Sequence, residues 1–201
     1  MGLHSSPIPG PMLMDAFLVS LGVVALAEIG DKTQLLAFVL AARFRRPLPV
    51  IAGIAVATLL NHAIAGWLGV VLAGVADAHW LRWLIGASFL FFAAWALVPD
   101  HLDDGGVRIT GTGAFLVTAV AFFLVEIGDK TQIATVALAA AYQSLPEVVL
   151  GTSLGLLLVN APSVALGEGA ASRLPMAWIR RAAAASFAAL GIATLLGWIG
   201  A

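Results

Sequence analysis

Apolar residues dominate six stretches of the chain, at about residues 13 to 42, 48 to 73, 80 to 98, 113 to 141, 146 to 170 and 178 to 199, and turn formers or charges separate them. Each exceeds or approaches the roughly 20 residues that a helix needs to cross the hydrocarbon core of a bilayer. The pattern predicts six spanning helices. The first stretch is too long for a straight crossing, since about 30 residues at ~1.5 Å each run to roughly 45 Å against a core of about 30 Å. A break or a strong tilt is expected there.

Sliding the sequence against itself by 98 residues reveals a duplication. Ala16 to Val19 fall on Ala114 to Val117, Gly53 on Gly151, Trp80 and Arg82 on Trp178 and Arg180, and Ser88-Phe89 on Ser186-Phe187. The expected organisation is a leader at 1 to 12, a first three-helix repeat at 13 to 98, a central cytoplasmic loop at 99 to 112 and a second three-helix repeat at 113 to 201. Arg43, Arg45, Arg46, Arg108, Arg173, Arg180 and Arg181 flank connections on one side and only Arg82 flanks the other, which places the first, third and fifth connections in the cytoplasm and both termini outside. Three is odd, so the second repeat enters the membrane from the opposite face. The expected fold is therefore an all-α integral membrane protein of two inverted three-helix repeats, an arrangement that secondary transporters use with the site at the midplane.

Composition agrees. Of the 201 residues 61% are hydrophobic and 10% charged, with mean hydropathy +1.02, against roughly 25% charged in an ordinary soluble domain. Net charge is −1, which offers no basic surface for nucleic acid, and the absence of cysteine removes disulfides, thiolate metal sites and cysteine nucleophiles. Leu13 to Ala27 resembles a signal-peptide core ending in Ala25-Leu26-Ala27, but no Lys or Arg precedes it and the segment has a counterpart later in the chain, so a spanning helix is the better reading. The six tryptophans lie near predicted helix ends, where they serve either as an interfacial belt or as packing between helices.

Against this background one heptapeptide stands out, because Glu-Ile-Gly-Asp-Lys-Thr-Gln occurs at 28 to 34 and again at 126 to 132, each time inside an apolar run. On a continuous helix Glu28, Asp31 and Lys32 fall within about 100° of arc, as do Glu126, Asp129 and Lys130. Left unpaired at the bilayer centre, six ionised groups at about 3 kcal/mol each would cost roughly 18 kcal/mol. They must face one another or water. Four carboxylates and two ammonium groups leave a surplus of two negative charges, which a divalent cation or two protons would neutralise.

The ligand atoms on offer are oxygens, from Glu28, Asp31, Glu126 and Asp129 with support from Thr33, Gln34, Thr131 and Gln132, which suits calcium, manganese and magnesium better than zinc or copper. Lys32 stands four residues after Glu28, a spacing for a local ion pair, and Lys130 repeats it. Gly30 and Gly128 admit a bend or an unwound turn, where freed carbonyls could add ligands. Two other readings stay open at this point: an ion-paired staple with no transported ion, and a membrane-embedded metal or acid–base enzyme, although no nucleophile accompanies the acids.

Asn61 and His62 fall midway along the second stretch and Asn160 midway along the fifth; His62 and Asn160 are counterparts at the repeat offset, so they either line one cavity or make interhelical hydrogen bonds. Pro162 is expected to kink or hinge the fifth helix. Glu168 stands near the cytoplasmic end of that helix, and Asp100, His101, Asp103 and Asp104 make an acidic cluster in the central loop that reads as hydrated linker.

These motifs resemble the Gdt-type cation exchangers, a family with two copies of Glu-x-Gly-Asp-Lys/Arg-Thr/Ser, one in each inverted three-helix half. Both copies stand complete here, as Glu28 to Thr33 and Glu126 to Thr131, and the likeness covers nearly the whole chain. The resemblance implies export of Mn²⁺ or Ca²⁺ coupled to entry of H⁺, no prosthetic group, and the four acids as the ion site. Family members in eukaryotes often carry a longer leader and central loop, so the likeness is to a bacterial member in the inner membrane, in contact with lipid and with room for a homodimer. The alternative from the residues alone is an exporter of a small organic cation or amino acid, or a non-transporting scaffold.

Overall fold

The computed structural model describes residues 10–98, 113–166 and 175–199. The leader before residue 10, the central loop with its acidic cluster, Glu168 and Arg173 lie outside the described residues. Eight helices and no strand occur among the described ones: α1 Gly10–Glu28, α2 Lys32–Phe44, α3 Pro47–Val75, α4 Ala78–Ala96, α5 Ala114–Glu126, α6 Lys130–Tyr142, α7 Leu145–Leu166 and α8 Met176–Leu195.

Two of the six predicted stretches are broken, both at the heptapeptide. Leu13–Glu28 and Lys32–Phe44 meet at 71°, as the excess length of the first stretch anticipates, and the fourth stretch divides in the same way into α5 and α6. The motif writes this break itself. Gly30 and Gly128 adopt φ of +82° and +75°, the left-handed region that side chains with a Cβ avoid. Asp31 then caps α2, its carboxylate accepting from Thr33 N at 3.3 Å, and Asp129 caps α6 through Thr131 N at 3.2 Å. Gln34 and Gln132 reach back so that their Oε1 atoms accept from Gly30 N and Gly128 N, at 2.8 and 2.7 Å. The carbonyls of Glu28 and Glu126 are taken up by Asp31 N and Asp129 N, both at 3.0 Å, so these two are not the freed ligands the sequence suggested.

Pro47–Val75 and Leu145–Ala165 are each long and apolar enough to cross a membrane, and the bent α1–α2 pair makes a third span if counted as one. The outside of the bundle is greasy: Leu59, Leu60, Ile64, Trp67, Leu68, Val71 and Leu72 of α3 are exposed, while Thr58, Asn61 and His62 on the same helix are buried. That inversion is what a lipid solvent selects. Trp67, Trp80, Trp83, Trp178 and Trp198 are exposed, which favours the belt over interhelical packing for these five, whereas Trp95 packs on Phe91 at 5.6 Å between ring centroids.

The halves exchange contacts reciprocally. α1 packs chiefly on α7 and α5 on α3, and small residues permit both approaches. A Cβ on Gly151 would stand 2.5 Å from the Phe17 carbonyl oxygen, and one on Gly53 2.7 Å from that of Phe115, its repeat counterpart. α4 and α8 meet through Phe89 and its own counterpart Phe187, stacked at 6.5 Å. Pro162 lies inside α7.

The two glycine turns are not equivalent. A Cβ on Gly30 would collide with the Met176 side chain at the start of α8, whereas nothing lies within 4 Å of the same position on Gly128. Both alanine variants bear left-handed strain of about 1–2 kcal/mol. Gly30→Ala must also displace Met176, so its thermal unfolding in detergent is expected to fall further than that of Gly128→Ala; equal losses would mean that Met176 yields freely.

Candidate functional site

The broken helices put the two heptapeptides against each other at the centre of the bundle. Glu28, Asp31, Glu126 and Asp129 are all buried, and Glu28 lies within electrostatic reach of the other three acids. The ammonium groups are shared across the repeats: Lys130 Nζ stands 2.7 Å from Asp31 Oδ1, and Lys32 Nζ 2.8 Å from Asp129 Oδ1. This corrects the local Glu28–Lys32 pairing that the four-residue spacing suggested. The reason is the break itself, because once residues 29 to 31 leave the helix, Glu28 and Lys32 no longer share a face and Lys32 points at the opposite half.

The exchange relocates the surplus charge. Each aspartate has a lysine from the other half, whereas Glu28 and Glu126 are held by neutral donors. Asn160 Nδ2 donates to Glu28 Oε1 at 3.0 Å and the Thr33 hydroxyl donates to the same oxygen. Thr58 Oγ1 donates to Glu126 Oε1 at 2.7 Å and Asn61 Nδ2 to Glu126 Oε2 at 3.0 Å. Each half's long helix therefore grips the other half's glutamate. Hydroxyl and amide donors hold a carboxylate without cancelling its charge.

The two glutamates differ in one respect. Both oxygens of Glu126 have donors, but Glu28 Oε2 has none among the described residues, and neither has the adjacent Asn160 Oδ1. Two buried oxygens without donors among the described residues thus stand on side chains that are hydrogen-bonded to each other. A buried acceptor without a donor is disfavoured by about 1–3 kcal/mol, and a cation would relieve it. No three acids or imidazoles among the described residues converge closely enough to hold a metal by themselves, so amide and hydroxyl oxygens must share in any coordination.

Of the supporting residues expected from the sequence, Gln132 Nε2 donates to Asn61 Oδ1 at 3.2 Å and Gln34 Nε2 to Ser163 Oγ at 2.9 Å, which tie the breaks to α3 and α7. Thr131 Oγ1 donates to Asp129 Oδ2 at 3.0 Å. His62 is buried, and neither ring nitrogen has a partner among the described residues. Thr58, Ser163 and Met176 were missed. The first two had a signal, since Thr58 precedes Asn61 by three residues and Ser163 follows Asn160 by three, which places each pair on one helix face.

A greasy helical bundle that buries paired carboxylates and ammonium groups at a double helix break has the construction of a membrane transporter for a small charged species. The chain belongs to the GDT1 family of divalent cation/proton antiporters, whose sequence profile matches residues 16–104 and again 114–200, one match per half. It is 48% identical over 190 residues to a Vibrio cholerae protein named "Putative manganese exporter", with 94% of each chain covered. It is also 27% identical over 222 residues to GDT1-like protein 5 of Arabidopsis thaliana, covering 92% of this chain and 96% of that one, and 28% identical over 191 residues to GDT1-like protein 3 of Oryza sativa subsp. indica, covering 82% and 68%. No solved structure matches.

Proposed function

We propose that this antiporter exports Mn²⁺ in exchange for H⁺ across a bacterial inner membrane, with both termini outside and six spans arranged as two inverted three-helix repeats. The reciprocal packing of α1 on α7 and α5 on α3 supports the inverted arrangement, and the likeness to the Vibrio cholerae protein named "Putative manganese exporter" supports the choice of ion. Glu28, Asp31, Glu126 and Asp129 form the ion site. Glu28 and Glu126 carry the charge that the cargo neutralises, and Asp31 and Asp129 hold the lysines that pin the two halves in register.

The observation that carries this reading is the lysine exchange, which pairs both aspartates and leaves two buried glutamates whose hydrogen bonds among the described residues come from neutral groups, a −2 surplus when both are ionised. One divalent ion matches that surplus, and so do two protons; the two cannot occupy it together without leaving a buried net positive charge. Competition for one site is the physical basis of exchange. Rocking of one half against the other then exposes the site to each side in turn, with Mn²⁺ outbound and protons on the return.

Proteoliposomes holding the full chain, loaded with a pH-sensitive dye, test the coupling. Mn²⁺ movement is expected to drive opposite proton movement, and Glu28→Gln or Glu126→Gln to slow both by roughly 100-fold, in line with losing a charged ligand worth about 2–3 kcal/mol. Mn²⁺ flux indifferent to an imposed proton gradient would exclude the exchange.

A further inference from the structure

The two helix breaks are alike in sequence and unlike in cover. At the second, Ile127 and Gly128 are exposed, nothing lies within 4 Å of a Cβ position on Gly128, and Lys32, which reaches across to Asp129, keeps part of its side chain exposed. Unwound backbone and an ammonium group inside an apolar span are tolerated where they border water, not hydrocarbon. Water therefore reaches the acids from the side of the second break. At the first break the equivalent groups are shut in. Gln34 and Lys130 are buried, and the Met176 side chain occupies the space that a Cβ on Gly30 would need.

What covers the first break comes from α8. Met176 and Arg180 stand four residues apart, so one face of α8 presents both to the break. The cavity left there measures about 10 Å³ and is lined by Gly30, Ala96, Lys130, Arg180 and Ala183, among others. It has room for one water at most, far less than a hydrated ion needs. The repeat shows what the cover depends on. At the 98-residue offset Arg180 has a counterpart in Arg82, but Met176 falls on Ala78, whose side chain is too short to reach over a glycine turn. Arg82 lies instead against Gly197 at the end of α8, and Gly128 stands uncovered.

We propose that Met176 is the gating residue of this antiporter: its thioether chain plugs the approach to the ion site past Gly30, while the approach past Gly128 stands open. Methionine suits the task, because it is unbranched with three rotatable bonds and so can fill the dent over a glycine and swing clear without moving α8. Glycine suits the seat, since a Cβ at position 30 would take the space of the methyl group. In the orientation proposed above, the plugged approach is the cytoplasmic one. The inference rests on the antiport reading and deepens it by naming the group that keeps the two aqueous sides apart; exchange fails through leakage when both approaches stand open at once.

The chain has no cysteine, so single thiols report access. Ile127→Cys and its counterpart Ile29→Cys, in the full-length protein, are treated with a charged, water-soluble methanethiosulfonate. Ile127→Cys is expected to react about tenfold faster than Ile29→Cys, the ratio set when the plugged arrangement outweighs the unplugged one by that factor. Adding Met176→Ala should bring Ile29→Cys to within about twofold of Ile127→Cys, and adding Met176→Leu should leave it protected. Equal rates with Met176 in place overturn the inference, as does protection that survives Met176→Ala. Val148→Cys, at a fully buried position, checks the fold; if Met176→Ala makes it react, Met176→Val, a smaller truncation, carries the comparison. In proteoliposomes without metal, Met176→Ala should raise proton leak by about tenfold and Met176→Leu should not. Leak unchanged in Met176→Ala overturns the gating role. A wild type that exchanges no ion overturns the antiport reading and the gate with it, whereas failed protection at Ile29→Cys with exchange intact overturns the gate alone.

Discussion

Asp31→Asn is expected to abolish metal export and to lower the stability of the bundle by about 3–5 kcal/mol, the range for removing one partner of a buried ion pair. Lys130 and Asp31 are both almost fully enclosed, with side-chain exposures of 9% and 0%, so solvent cannot take over the lost interaction. Asp129→Asn should be milder in stability because its partner Lys32, at 29% exposed, is less enclosed by protein. Export should fail in both, since each variant breaks an ion pair that joins the two halves at the candidate site. Metal-sensitivity rescue in an exporter-deficient cell reads the function, and unfolding in detergent reads the stability. The double variant Asp31→Asn with Lys130→Met should regain most of the folding but not the export, because it removes the stranded ammonium without restoring the frame. If Asp31→Asn proved as stable as wild type, the pair across the halves would not be the staple its geometry describes.

Gly151→Leu is expected to prevent accumulation of folded protein, with Gly53→Leu acting the same way at the equivalent crossing. The incoming Cβ meets backbone, not a flexible side chain: the Phe17 carbonyl at 2.5 Å for position 151 and the Phe115 carbonyl at 2.7 Å for position 53. Lipid provides little drive to hold helices together, so close approach through small residues carries much of the association, and a leucine here forces α1 off α7. Overpacking of an interior typically costs about 1–3 kcal/mol, and a rigid backbone neighbour puts this case at the upper end or beyond. Gly74→Leu is the matched control, because nothing lies within 4 Å of its Cβ position and the side chain would face open space. Yield and monodispersity after detergent extraction separate the outcomes; an equally well folded Gly151→Leu would show that the α1–α7 crossing tolerates separation.

Both predictions draw on features that local sequence exposes to different degrees. The break at the heptapeptide was legible because each of its causes is local: glycine for the positive φ, aspartate for the cap, glutamine three residues on to satisfy the stranded amide. Apolar stretches longer than a bilayer marked the helices to within a few residues, as with the stretch at 48 to 73 and the observed Pro47–Val75. The repeat offset was legible too, and through it the equivalence of Gly53 with Gly151 and of Phe89 with Phe187.

Lysine partners were not. Spacing along one helix proposed Glu28 for Lys32, and the fold delivered Asp129 instead, from the other half of the chain. Thr58 was invisible as a ligand of Glu126 for the same reason, being 68 residues away, and Met176 over Gly30 likewise.

The sequence by itself thus determined the membrane solvent, the duplicated unit, the two helix breaks and the burial of a net negative cluster, because these follow from short-range stereochemistry and from the balance of charges in the two heptapeptides. Only tertiary structure decided which acid each lysine pairs with, and that amides and hydroxyls from the other half hold the two glutamates. Those are matters of long-range docking, in which two copies of one peptide meet face to face and each completes the other.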